Sequence, residues 1–155
     1  MSDVASNIER VRRAKAQYCR FVDTKNWAAF AKLFEQNLQV RMFDPAGATI
    51  VSFDDRDSFV SICDTSLVGA QTIHQVHNDE IDQISDGEIS ATWSMEDMII
   101  FGSPGPGQPA RMHGFGHYHE LWRLGAEGWR IARLELRRTI LEFTDASDQG
   151  GQAHV

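Results

Sequence analysis

The chain has 155 residues, of which 42% are hydrophobic and 24% are charged. These proportions are ordinary for a globular protein, and the length fits one domain with room for a core and a pocket. The net charge of −7 and the lack of a lysine and arginine cluster argue against nucleic-acid binding, which needs a basic surface. The longest apolar run is too short to span a bilayer, and the first residues lack the apolar core of a secretory signal. We therefore expect a cytoplasmic protein without nucleic-acid or membrane partners.

Helical spacing dominates the first half of the sequence. Ser6 and Glu9 fit a capping box, and apolar residues then recur every three or four positions. A short alternating segment around an Asp-Pro-Ala-Gly turn predicts a hairpin before the last helix. The predicted elements are helices from Ser6 to Asp23, from Trp27 to Phe34 and from an Asp54 or Asp55 cap to about Gly69, with a hairpin of residues 38–43 and 48–53 before the third helix.

The second half shows the alternation and turn residues of strands. Predicted strands cover residues 72–76, 81–85, 88–101, 112–124 and 129–143, with a Gly- and Pro-rich loop at 102–109. Helices followed by an antiparallel meander predict an α+β fold. We expect one domain over residues 1–143 and a flexible polar tail over residues 144–155.

Two ionisable residues fall on apolar strand faces. Leu134, Leu136 and Ile140 alternate with charged residues in the last strand, and Arg138 lies in the apolar register. Asp97 likewise shares a face with large apolar side chains of its strand. A buried charge is costly unless an opposite charge or a ligand meets it. These two positions therefore indicate a functional site, or a structural ion pair between them.

Three further residues suit proton-transfer chemistry. Tyr18 and Asp23 lie near the end of the first predicted helix, and His74 lies within a strand. A histidine beside a carboxylate in an apolar cleft is a good general base, because the carboxylate fixes its tautomer and stabilises the imidazolium. Each residue also has a structural interpretation: Tyr18 in the core, Asp23 at a helix end and His74 as a hydrogen-bonded strand residue.

The segment MHGFGHYHELW places His113, His117 and His119 on one face of a strand. A His-x-His pair on a strand can bind zinc or iron. However, the carboxylates that follow, Glu120 and Glu127, are wrongly spaced to complete such a site. We expect no metal and no other cofactor, and a polar outer face or a subunit contact at these histidines.

The order of elements, with VDTKNWAAFAKLF early, TIHQVHN midway and GHYHELWRL and GWRIARLELRR late, resembles the SnoaL-like branch of the NTF2-like superfamily. That group includes scytalone dehydratase, hexachlorocyclohexane dehydrochlorinase and bile-acid 7α-dehydratase. The resemblance covers residues 8–143 and implies a cone of helices packed on a curved sheet around a pocket. The superfamily also contains isomerases and non-catalytic members, so the fold alone does not decide the activity.

The resemblance also implies roles for individual residues. It assigns an Asp–His dyad to Asp23 and His74, and the site of the bile-acid dehydratase maps onto Tyr18, Asp97 and Arg138 as well. The second catalytic histidine of scytalone dehydratase has no inward counterpart, which argues against a scytalone-like substrate. We expect the pocket to be lined by Trp93, Met95, Met112, Tyr118, Leu134 and Leu136, with Gly114 and Gly116 leaving room for a ring system.

These residues lead to a cofactor-free lyase as the first hypothesis, eliminating water or a similar group from an apolar cyclic molecule such as a steroid or an aromatic compound. A double-bond isomerase of the ketosteroid-isomerase type is the alternative within enzymes. A non-catalytic binding or scaffold protein, like the β-subunits of ring-hydroxylating dioxygenases, is the alternative outside them. The resemblance further implies a homo-oligomer, with a trimer favoured over a dimer. Phe115 and Ile131, placed by alternation on the outer face, fit such an interface.

Overall fold

The computed structural model describes residues 3–146. Three helices precede and flank a six-stranded sheet with the strand order β2-β1-β6-β5-β4-β3. All neighbouring strands are antiparallel except β1 and β6, which are parallel. The predicted α+β class is confirmed. The elements are α1 (Val4–Asp23), α2 (Trp27–Ala31), β1 (Phe34–Phe43), β2 (Thr49–Phe53), α3 (Arg56–Ser66), β3 (Gln71–Ser85), β4 (Glu88–Ile100), β5 (Pro109–Gly125) and β6 (Gly128–Asp145).

The helix boundaries differ from the prediction at two places. Helix α1 begins directly after Asp3, so Ser6 lies inside its first turn and the predicted capping box is wrong. Helix α2 ends at Ala31, and Phe34 already pairs with Ile131 as the first residue of β1. The third helix begins as expected, with the Asp55 carboxylate accepting a hydrogen bond from the Ser58 amide.

Irregular pairing explains the errors in the strands. The two short strands predicted at 72–76 and 81–85 form one strand, β3, with a register shift between His77 and Glu80 and a left-handed backbone at Asn78. Two of the three register shifts in the β5–β6 ladder, between Phe115 and Gly116 and between Leu121 and Trp122, reverse the sides expected for Ile140 and Ile131. Ile131 is buried, against our expectation, and Ile140 is 47% exposed opposite Phe115.

Strand β6 runs to Asp145 and so includes the first two residues of the segment assigned to the tail; residues 147–155 lie outside the described part of the chain.

Within residues 3–146, no helix is long and apolar enough to cross a membrane.

A buried ion pair joins helix α1 to the sheet. Lys15 and Glu120 both have fully buried side chains, and their charged groups lie 2.5 Å apart. The second carboxylate oxygen of Glu120 accepts hydrogen bonds of 2.9 Å from the indole N–H groups of Trp93 and Trp122. Every oxygen of this carboxylate therefore has a partner, which is the condition under which a buried charge is tolerated.

The ammonium group of Lys15 also makes cation–π contacts with two tyrosine rings. Lys15 Nζ lies 3.7 Å from the ring centroid of Tyr18 and 3.6 Å from that of Tyr118. Cation–π contacts of this kind are strongest when they are shielded from water. The ion pair thus holds two tyrosines from α1 and β5 against each other.

We expect Lys15→Met to lower the free energy of unfolding by roughly 3–5 kcal/mol, because Glu120 would keep a buried charge without its partner. The double variant Lys15→Met/Glu120→Gln should recover part of this loss, since no buried charge remains. Urea unfolding followed by tryptophan fluorescence measures both.

Arg12→Met is the matched control, because Arg12 also lies on α1 and forms an ion pair with Asp79, but at the exposed surface. It should leave the unfolding free energy nearly unchanged. A Lys15→Met variant no less stable than this control would contradict the importance of the buried pair.

Candidate functional site

The carboxylate of Asp23 binds His74 at two points. Asp23 is the last residue of α1, and His74 lies on the edge strand β3. Asp23 Oδ1 lies 2.8 Å from His74 Nδ1, and Asp23 Oδ2 accepts a 3.0 Å hydrogen bond from the His74 backbone amide. The Thr72 hydroxyl donates a third bond of 2.9 Å to Oδ1. The two members of the predicted dyad are therefore in direct contact.

These hydrogen bonds set the ionisation of Asp23. Burial alone raises the pKa of this carboxyl group, but the bonds from His74 and Thr72 outweigh that cost and lower the pKa below its ordinary value. Asp23 is consequently ionised at neutral pH. An ionised acceptor at Nδ1 favours the tautomer in which Nδ1 carries the proton and Nε2 is free.

Arg138 and Asp97 form a buried, bidentate ion pair. Arg138 Nη1 lies 2.5 Å from Asp97 Oδ1 and Nη2 lies 2.8 Å from Oδ2, with 7% and 3% of the two side chains exposed. Burial lowers the pKa of Arg138, but the bonds to Asp97 outweigh it and the pKa is raised. The buried Nε atom of Arg138 has no hydrogen-bond partner within residues 3–146. Both residues therefore point inward, as the strand alternation predicts.

The ion pair lies next to the dyad. His74 pairs with Asp97 across β3 and β4, and His74 Nε2 lies 3.9 Å from Asp97 Oδ2. Gly114 faces the guanidinium group, and a methyl group there would lie 2.8 Å from Asp97 Oδ1. The room that we expected this glycine to leave for a ligand is thus filled by Arg138.

Tyr18 contributes a hydroxyl group to the same region. Its ring packs against that of Tyr118, with centroids 5.8 Å apart. Burial raises the pKa of both tyrosines, so both remain protonated at neutral pH and can donate hydrogen bonds.

A cavity of about 580 Å³ opens between the sheet and the helices, at the end of the sheet where β4 ends and β5 begins. Four of the five predicted catalytic residues line it, and Asp23 lies behind His74. Three predicted binding residues also line it. The predicted residues on the cavity wall are Tyr18, His74, Asp97, Arg138, Met112, Tyr118 and Leu136.

Three other predicted binding residues do not line the cavity. Trp93 and Leu134 are buried towards the opposite end of the sheet, where Trp93 donates its indole N–H to Glu120. Met95 lies behind the site, with its sulfur 3.7 Å from Arg138 Nη1. Their inward direction was predicted correctly, but they belong to the core because α1 covers that end of the sheet.

The opposite wall of the cavity was not predicted. It consists of side chains from α3 and from the β1–β2 hairpin, such as Phe59, Cys63 and Val51. The apolar face of α3 was visible in the sequence, but nothing there showed that it covers a cavity rather than solid core. Burial raises the pKa of the Cys63 thiol to about 12, so this cysteine is not a nucleophile at neutral pH.

The three histidines of β5 lie away from the cavity. His117 is exposed, and His113 Nε2 lies 3.1 Å from a Glu96 carboxylate oxygen on β4. No group of three potential metal ligands occurs in the described range, residues 3–146. The residues of the dyad and the buried ion pair have one another as partners and do not resemble an open metal site.

Comparison with known proteins finds one relative by sequence and several solved structures with the same fold. The chain is 28% identical over 136 residues, 83% of its length, to the probable cyclase FGR4 of Gibberella zeae, of which the match covers 88%. An inferred scytalone dehydratase of Novosphingobium aromaticivorans superposes with a TM-score of 0.76 at 18% identity, covering 97% of each chain. The hexachlorocyclohexane dehydrochlorinase LinA, type 2, superposes with a TM-score of 0.74 at 11% identity, covering 94% of this chain and 95% of that one.

The family model described as a SnoaL-like domain matches residues 3–135. This range contains every helix and strand up to the first part of β6. It includes Tyr18, Asp23, His74 and Asp97. The resemblance seen in the sequence is confirmed: the chain belongs to the SnoaL-like family.

Proposed function

We propose that this protein is a cofactor-free lyase in which His74, held by Asp23, removes a proton from an apolar cyclic substrate. The observation that carries the proposal is the 2.8 Å contact between His74 Nδ1 and Asp23 Oδ1 beside a cavity that His74 lines. This arrangement leaves Nε2 free to act as a general base. The cyclase, dehydratase and dehydrochlorinase names among the similar proteins support a small-molecule conversion.

The proposed reaction needs no redox partner. His74 Nε2 takes a proton from a carbon atom of the substrate, and the electron pair of that C–H bond forms a double bond as the neighbouring C–O bond breaks. The oxygen leaves with the electron pair of the C–O bond and receives a proton from the His74 imidazolium. The products are an alkene and water, and His74 returns to its neutral form.

Arg138 and Tyr18 are the groups proposed to stabilise oxygen atoms of the substrate. Arg138 lines the cavity, and its Nε atom has no partner within residues 3–146. Tyr18 supplies a neutral hydroxyl donor on the same wall. Donors that are fixed before the reaction stabilise developing negative charge efficiently, because they need no reorganisation. Asp97 orients the guanidinium group by its bidentate bond.

The charges around the cavity favour an uncharged substrate. The positive charge of Arg138 is matched by Asp97, and that of Lys15 by Glu120. Asp23 adds a negative charge, so an anionic substrate would meet no unmatched cation on this wall. The remaining lining is mostly apolar, which fits a steroid-like or aromatic ring system.

An isomerase that shifts a double bond is the second candidate, because it needs the same base and the same oxygen donors but no leaving group. A non-catalytic binding protein is less well supported. Such a protein would gain nothing from a base and a buried ion pair on the cavity wall, and burying them has a cost.

Self-association and a cytoplasmic location stay predictions. Phe115 and the exposed Ile140 pair with each other on the outer face of the sheet, where they provide apolar area for a contact. Ile131 does not contribute, because it is buried within the chain.

His74→Gln should reduce turnover by about 10²–10⁴-fold, the usual contribution of a positioned general base. Asp23→Asn should have a similar effect, because an amide does not stabilise the imidazolium. The double variant should be scarcely worse than either single one, since the two residues act as a unit. A thermal-shift screen of uncharged steroids and aryl ketones identifies ligands, and product analysis of those ligands gives the rates.

His77→Gln is the matched control, because His77 lies on the same strand but is exposed and faces Ser94. It should leave turnover unchanged. If His74→Gln keeps most of the wild-type turnover, another group moves the proton and the proposal fails.

A further inference from the structure

A hydrogen-bonded chain leads from the surface to the dyad. Lys25 Nζ donates a 3.1 Å hydrogen bond to Thr72 Oγ1, and the Thr72 hydroxyl donates a 2.9 Å bond to Asp23 Oδ1. The same oxygen atom lies 2.8 Å from His74 Nδ1. Lys25 and Thr72 donate in the direction of Asp23, and the protonated His74 Nδ1 donates to the same oxygen from the other side. Asp23 Oδ1 therefore accepts from both Thr72 and His74, and the Lys25 ammonium group lies at the other end of the chain.

The backbone at Lys25 is unusual and well fixed. Lys25 has a φ of 58°, in the left-handed region that residues with a side chain adopt only at a cost. Its amide bonds to the Val22 carbonyl at 3.1 Å, and the Asn26 amide bonds to the Phe21 carbonyl at 2.8 Å. The side chain turns back over the end of α1, where Nζ also lies 3.4 Å from the Val22 carbonyl oxygen. The two backbone bonds form a common C-terminal cap of a helix, and they fix the left-handed conformation of Lys25 at the end of α1.

We infer that Lys25 and Thr72 are positioning residues that tune the basicity of His74 through Asp23. The inference deepens the proposed function and rests on it, because it assumes that His74 must be a free base near neutral pH. Neither residue is among those that line the cavity.

The physical reason is competition for the Asp23 carboxylate. A carboxylate with no other donor would stabilise the imidazolium form of His74 more strongly than one that is shared. The hydrogen bond from the Thr72 hydroxyl weakens Asp23 Oδ1 as an acceptor for the His74 ring. The Lys25 ammonium group repels the positive charge that His74 would gain on protonation. Burial lowers the pKa of Lys25, and the charge of Asp23 partly offsets this. The positive charge of Lys25 and the negative charge of Asp23 are therefore close enough to attract each other.

The other ionisable groups around His74 have contacts that do not involve Lys25 or Thr72. Asp97 lies 3.9 Å from Nε2 and is paired with Arg138, and burial keeps the nearby tyrosines and cysteines neutral. The titratable groups that face the dyad from the packed elements are Tyr18 and Cys19 on α1, Cys63 on α3, Asp97 on β4, Tyr118 on β5 and Arg138 on β6, with the neutralised Lys15–Glu120 pair beneath the tyrosines.

The experiment is an NMR titration of the His74 ring in the ligand-free protein, with His74→Gln used to assign the signal. Lys25→Met and Thr72→Val should each move the titration of His74 to higher pH, by about half a pH unit. Thr72→Ser, which restores the hydroxyl, should return the curve to that of the wild type. Lys32→Met, which removes an exposed lysine outside the chain of hydrogen bonds, should change nothing.

If the His74 titration is unchanged in both Lys25→Met and Thr72→Val, the inference is wrong. With a substrate in hand, the acid limb of the pH–rate profile should move in the same direction, and the rate should recover at higher pH. A purely structural role would instead lower the rate at every pH.

This result is separable from the proposed function. If the His74 titration shifts in Lys25→Met and Thr72→Val but His74→Gln keeps its turnover, the lyase proposal is wrong and the effect of Lys25 and Thr72 on His74 stands. If the titration does not shift but His74→Gln loses its turnover, the lyase proposal stands and the inference about Lys25 and Thr72 is wrong.

Discussion

The carboxylate of Asp23 connects the end of the first helix to the edge of the sheet. Strand β3 has a neighbour on one side only, so alternate amides along its free edge need other partners. Asp23 accepts one of these, the amide of His74, as well as the ring of the same residue and the hydroxyl of Thr72. One side chain therefore ends α1, covers part of an open strand edge and fixes the ring of the candidate base.

The rest of the site follows from the need to match buried charges. Arg138 meets Asp97, and Lys15 meets Glu120, so two cations and two anions are held in a largely apolar interior. The Lys15–Glu120 pair contacts the rings of Tyr18 and Tyr118 through the Lys15 ammonium group. The Arg138–Asp97 pair lies beside His74 Nε2. Because these charged groups pair with each other, the cavity between the sheet and α3 has a mostly apolar lining, with its ionisable side chains on the sheet side.

The sequence predicted those parts of the site that depend on strict alternation. Asp97 and Arg138 were recognisable because each interrupts an apolar strand face, and their contact follows from the pairing of β4, β5 and β6. Ile131 and Ile140 were misplaced, because an extra residue in β6 lies between each of them and the correctly predicted residues 133–138 and so reverses the expected side. Lys15 was missed, because a lysine in an amphipathic helix normally faces solvent; Glu120, which shares the inward side of Tyr118, was the available signal. The cavity wall from α3 depends on tertiary packing that no local pattern encodes.

The central claim is that His74 presents an unprotonated Nε2 to the cavity. The most direct test is the ¹⁵N spectrum of the His74 ring in the ligand-free protein, at a pH where the ring is neutral, because the two nitrogen shifts report which atom carries the proton. The account predicts a protonated Nδ1, bonded to Asp23, and a bare Nε2. A proton on Nε2 with a bare Nδ1 would contradict it, because the only lone pair of the ring would then face Asp23 and none would be available to a substrate in the cavity.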